Sequence, residues 1–152
     1  MIILLHTILI FIPLCLAWQN DWDQSLDVYC SYHQSFYRIR SEHDNGKEDR
    51  RWQFDCHYIG PLMGGCTWYN DVNGWDAPVN FYCPNNGAMT GVKSRHDNGK
   101  EDRIWSYRCC DMPGRLVTTT GFVNGWDQGM DYQVPSNYYI TGTESHHDNG
   151  KE

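Results

Sequence analysis

The octapeptide His-Asp-Asn-Gly-Lys-Glu-Asp-Arg occupies residues 43–50 and recurs letter for letter at 96–103. It begins a third time at His147 and runs to Glu152. This repetition constrains the fold more than any other feature, because the surrounding sequence shares its register. An offset of 53 residues carries Trp22 to Trp75, Cys30 to Cys83, Ser41 to Ser94 and Cys56 to Cys109. A further offset of 51 carries Asn73-Gly74-Trp75-Asp76 onto Asn124-Gly125-Trp126-Asp127. The chain after its first residues therefore reads as one domain, 18–152, built from repeats 18–70, 71–121 and 122–152. The third repeat stops where the others continue into DRRWQFDC and DRIWSYRC, so it is expected to lack its closing strand and the sequence to be a fragment.

Each repeat carries turn and strand signals. Asn-Gly pairs at Asn45, Asn73, Asn86, Asn98, Asn124 and Asn149 favour tight hairpin turns. Behind the octapeptide, Arg50, Trp52, Phe54 and Cys56 alternate with Arg51, Gln53 and Asp55, and Arg103, Trp105, Tyr107 and Cys109 repeat the first face. A period of two with aromatics and a cysteine on one face describes a half-buried strand. No stretch after residue 17 has helical periodicity. The expected fold is all-β, with three repeats closed about a pseudo-threefold axis as a β-prism with one sheet per repeat. A β-trefoil is the alternative, and an open solenoid is disfavoured because no repeat has polar caps.

Residues 1–17, MIILLHTILIFIPLCLA, contain no charged side chain and end in small residues. They read as a secretory signal rather than a membrane span, being short for one and lacking a basic flank. The cysteines remaining after Cys15 are Cys30, Cys56, Cys66, Cys83, Cys109 and Cys110. An even set in a secreted chain implies disulfides. Equivalent spacing in two repeats makes Cys30–Cys56 and Cys83–Cys109 the economical pairs, which leaves Cys66–Cys110. Val134 stands at the corresponding position of the third repeat, so no equivalent bridge is expected there. A net charge of −7 disfavours nucleic acid or an anionic membrane as partner.

The pattern Asp-Arg-x-Trp-x-aromatic-x-Cys, at Asp49, Arg50, Trp52, Phe54 and Cys56 and again at Asp102, Arg103, Trp105, Tyr107 and Cys109, resembles the signature of the dermatopontin family. So do the adjacent Cys109-Cys110 and the Asn-x-Trp openings of the repeats. The resemblance implies a secreted, disulfide-bonded extracellular matrix or adhesion protein that binds collagen, proteoglycan or cell-surface glycans. A lectin-like agglutinin of cell aggregation and defence is the alternative it implies, and a cytolytic toxin a third. No catalysis, cofactor, metal or membrane insertion is expected, and self-association is left open.

Two roles suit the octapeptide. In the first, Asp49, Arg50 and Trp52, with Asp102, Arg103 and Trp105, hold repeats together: each arginine lies over a neighbouring indole and bonds a carboxylate of an adjacent hairpin. In the second, His43-Asp44-Asn45, His96-Asp97-Asn98 and His147-Asp148-Asn149 present sugar-binding groups on exposed turns, and equivalent weak sites act by avidity. The glycine falls too early for a calcium loop. Tyr29, Tyr69 and Tyr132 lie beside acidic residues and hint at sulfation.

Overall fold

The protein is described by a computed structural model covering residues 17–61, 64–112, 114–148 and 150. The proposed signal, apart from Ala17, lies outside these residues. The strands are β1 (Leu26–Tyr29), β2 (Gln34–Asp44), β3 (Asp49–Tyr58), β4 (Cys66–Tyr69) and β5 (Asn80–Tyr82). A 3-10 turn at Pro84–Asn86 precedes β6 (Ala88–Asp97), β7 (Asp102–Cys110), β8 (Met130–Gln133) and β9 (Gly142–Glu144). The fold is all-β, and among the described residues no helix is long and apolar enough to cross a membrane.

Long antiparallel hairpins form where the alternation is clearest, β2 with β3 and β6 with β7. Both carry a register shift at the same place, between Phe36 and Arg38 and between Met89 and Gly91. Each shift inserts one residue, Tyr37 or Thr90, and re-phases the inward face so that Phe36 and Ile39, or Met89 and Val92, are all buried. The outward face of β3 differs from expectation: Gln53 is buried, its amide donating to Asp55 Oδ1 at 3.1 Å.

Strands are shared between repeats. The sheets run β1-β6-β7-β4, β3-β2-β8 and β5-β9. β1 of the first repeat pairs with β6 of the second, β5 of the second with β9 of the third, and β8 of the third with β2 of the first. This replaces the expected single sheet per repeat. The short early strands β1 and β8 join another repeat's long hairpin, and β5 joins the lone strand β9. The described strands do not close into one barrel.

The core lies between the sheets. Leu26, Phe36, Met89 and Val92 are fully buried, and the closing strands meet through Trp52 and Trp105, edge to face at 5.1 Å. Trp105 stacks on Tyr107 and Tyr107 on Phe81. Burial pushes the Tyr107 phenol up to about 12, and its oxygen accepts a bond from the Thr143 hydroxyl at 3.1 Å. The disulfides are Cys30–Cys56, Cys83–Cys109 and Cys66–Cys110, the pairs the repeat spacing expects. The first joins the end of β1 to β3, linking two sheets, and the second likewise links β5's sheet to β7. The third fastens edge strand β4 to β7, where Cys66 and Cys110 face each other in register. Val134 is buried.

Candidate functional site

The octapeptide builds a four-residue loop between paired residues Asp44 and Asp49, and again between Asp97 and Asp102. Asp44 Oδ1 accepts from the main-chain N–H of Gly46 at 2.8 Å and of Lys47 at 3.1 Å. Asp97 Oδ1 accepts from Gly99 at 2.9 Å and Asp148 Oδ1 from Gly150 at 2.9 Å. This aspartate is therefore a backbone cap, the role short acidic side chains take in turns. Glycine follows because a Cβ at Gly46 would stand 3.2 Å from Asp44 Oδ1. The residues that adopt positive φ are Glu48 (48°) and Glu101 (51°), so these loops are not the two-residue Asn-Gly turns the dipeptide suggests.

At the loop's base the side chains turn inward and reach another repeat. The Arg103 guanidinium forks onto Asp49, Nε to Oδ1 at 2.7 Å and Nη2 to Oδ2 at 2.6 Å. Its Nη1 donates to the Gln24 carbonyl and to Ser94 Oγ. The two side chains are only 6% and 2% exposed. Asp49 Oδ2 also accepts the Asp23 N–H at 2.8 Å. His96, 1% exposed, lies between the same acids, its Nδ1 3.5 Å from Asp49 and its Nε2 3.6 Å from Asp23. The next junction repeats the plan: the Asp76 N–H donates to Asp102 Oδ2, and His147 stands 3.7 Å from Asp76 and 3.9 Å from Asp102. At the third, Arg50 donates to the Gln128 carbonyl at 2.8 Å and His43 Nε2 is 4.0 Å from Asp127. Burial and the Arg50 charge lower the His43 pKa, Asp127 opposing them.

The openings of the repeats serve the same junctions. Asn20 Oδ1 accepts from Trp52 N at 2.7 Å while its amide donates to the Arg50 carbonyl at 3.1 Å. Asn73 does the same to Trp105 N and the Arg103 carbonyl, each at 2.8 Å.

The sequence-predicted residues thus separate. Asp44, Asn45, Asp97, Asn98 and Asp148 are exposed, while His43 (2%), His96 and His147 point inward, so the triplets are not presented together at the surface. Asn149 lies outside the described residues. Asp49 and Arg103 make the expected contact between hairpins, but Arg103 is not laid over an indole. The guanidiniums found over indoles are Arg51, 4.7 Å from Trp22 and 5.5 Å from Trp18, and Arg95, 5.7 Å from Trp75. Among the described residues no group of three or more His, Cys, Asp or Glu side chains is placed to hold a metal ion.

One surface feature escaped the sequence reading. On the outer face of the four-stranded sheet, Tyr29, Gly91, Arg108 and Trp68 form a single cross-strand row. Tyr29, Arg108 and Trp68 line a groove of about 410 Å3 together with Asp27, Ser31, Tyr32 and Lys93. Four strands contribute, so no local motif could have flagged it; the one signal was Gly91, where repeat one has Arg38.

The dermatopontin family model matches residues 20–152. The hemagglutinin/amebocyte aggregation factor of Limulus polyphemus is 41% identical over 90% of this chain and 81% of its own. Dermatopontin of Biomphalaria glabrata is 32% identical over 87% and 90%, and human dermatopontin 28% over 83% and 67%. No solved structure matches. With its motif in the hairpins, its bridged cysteines and this near end-to-end similarity, the chain belongs to the dermatopontin family.

Proposed function

We propose that this chain is a secreted, non-catalytic adhesion protein of the extracellular matrix, binding collagen, proteoglycan or cell-surface glycans. Residues 1–17 are its signal and 18–152 one domain of repeats 18–70, 71–121 and 122–152. The repeats are arranged in a closed pseudo-threefold ring. Support for the ring comes from each repeat pairing an early strand with another repeat, the third with the first. The observation that carries the binding role is the family match across residues 20–152. The octapeptide's histidines, aspartates and arginines are engaged in turns and junctions, which favours the outer sheet faces and exposed aromatics as contact surfaces.

The similarity to a named hemagglutinin and aggregation factor favours a second reading, agglutination of cells. One experiment separates the two. The secreted protein is applied to immobilised collagens, glycosaminoglycans and glycans, and in parallel to suspended blood cells. Matrix binding without clumping supports the matrix role, and clumping blocked by a soluble sugar supports the agglutinin. Binding to none of these surfaces refutes both.

A further inference from the structure

The groove on the four-stranded sheet is open to solvent and is lined by side chains from four strands. Tyr29 on β1 and Trp68 on β4 stand at its two sides, and Tyr29 is 67% and Tyr32 74% exposed. Gly91 is buried beneath this row: a Cβ there would sit 3.0 Å from Arg108 Cβ, 3.0 Å from the Trp68 ring and 3.2 Å from Tyr29 Cβ. The missing side chain leaves room for the Trp68 ring and Tyr29 to pack over β6. In the next row Lys93 Nζ lies 3.3 Å from Asp27 and 4.6 Å from the centre of the Trp68 ring.

Repeat one shows what this row becomes when it is sealed. There Gly91 is replaced by Arg38 and Arg108 by Asp55 at the same offset. Arg38 forks onto Asp131 at 2.7 and 2.6 Å, and Asp55 is paired with Arg40 at 3.1 Å. Every charge in that row has an opposite. In the groove, Lys93 is neutralised by Asp27, whereas Arg108 is half-buried and has no carboxylate or side-chain hydrogen-bond partner among the described residues. A partly desolvated guanidinium is a strong acceptor-seeking group, and its fork suits carboxylate or sulfate.

We propose that this groove binds one anionic pyranose unit of a glycan, its carboxylate or sulfate on Arg108 and its ring face against Tyr29 and Trp68. Lys93 and Asp27 then serve neighbouring hydroxyls as donor and acceptor. The inference rests on the adhesion reading and gives it a site and a ligand class. At about 410 Å3 the groove has room for one sugar ring.

The test uses the full secreted chain and three oligosaccharide probes: an unsulfated hexuronan, a sulfated galactan without carboxylates, and a neutral chitin oligomer. Calorimetry should show binding to one or both anionic probes and not to the neutral one, the arms telling carboxylate from sulfate. Arg108→Gln should weaken it about tenfold or more, the scale of one lost charge-assisted bond, and Tyr29→Ala should weaken it severalfold. Arg38→Gln removes the same net charge from the sealed row and should change nothing. Equal weakening by Arg38→Gln and Arg108→Gln, equal affinity for the neutral probe, or no anionic binding overturns the proposal. If Arg108→Gln is not secreted, Tyr29→Ala decides alone. Matrix or cell binding that survives these variants removes the groove and leaves the adhesion reading standing.

Discussion

Replacing Asp49 with asparagine tests whether the octapeptide is a junction. Asp49 Oδ1 receives Arg103 Nε, and Oδ2 receives both Arg103 Nη2 and the Asp23 N–H. An asparagine must put its own N–H donors at one of these positions, opposing donors that already point there. The guanidinium is then left buried with a neutral partner, the Gln24 carbonyl and the Ser94 hydroxyl. Breaking a buried pair from one side costs about 3–5 kcal/mol. For a chain of this size that corresponds to a fall in Tm of roughly 10–15 °C. The assay is thermal unfolding followed by circular dichroism with the disulfides intact. Arg38→Gln, on the exposed pair with Asp131, is the control and should move Tm little. Asp49→Leu combined with Arg103→Met should recover much of the loss, because an apolar pair leaves no charge stranded. A shift below about 3 °C for Asp49→Asn, or no recovery in the double variant, would falsify the junction argument.

Other outcomes follow from the same geometry. Asp44→Ala and Asp97→Ala should each cost about 1 kcal/mol by freeing capped N–H groups, seen as lower Tm with ligand binding intact. Glu48→Gly should leave Tm unchanged or raise it, since glycine accepts the positive φ that glutamate holds under strain. Tyr107 should stay protonated at pH 11 in an ultraviolet titration while exposed tyrosines ionise. Its folded pKa is above the unfolded value, so the folded state holds the proton longer, and stability should fall from pH 10 to 12 by up to about 3 kcal/mol. His43 shifts the other way: its folded pKa is depressed, so the unfolded state binds protons first and stability should drop as pH falls through about 6.5. His43→Phe should flatten that arm of the stability profile, and an unchanged profile would count against burial as the cause.

The hairpins were legible because their information is local. Alternation around Trp52 and Trp105 marks β3 and β7, and equal spacing of Cys30–Cys56 and Cys83–Cys109 picks out their bridges. Partnership between strands was not legible. Nothing near Leu26, Val28 and Tyr29 in sequence says that their neighbour is β6 rather than β2. Histidine burial was hidden for the same reason. His96 sits beside a turn in sequence, and only the approach of Asp23 and Asp49 from another repeat encloses it. The groove needed four strands in register, which no stretch of sequence displays.

The lending of strands between repeats also sets an order of events during synthesis. β2 cannot complete its sheet until β8 has been made, and Arg38 and Asp131 across that pair are 93 residues apart. At ~5–20 residues per second, the first hairpin, complete at Tyr58, waits roughly 4–15 s with one edge open. Contacts this distant in sequence are slow to form even in a complete chain, because closing the intervening loop costs entropy before any burial rewards it. The bridge Cys30–Cys56 spans 26 residues and needs only the first repeat, so it can close while β8 is still absent. An early crosslink would then hold β1 beside the first hairpin, projecting outward as a ready edge for β6 when that strand emerges.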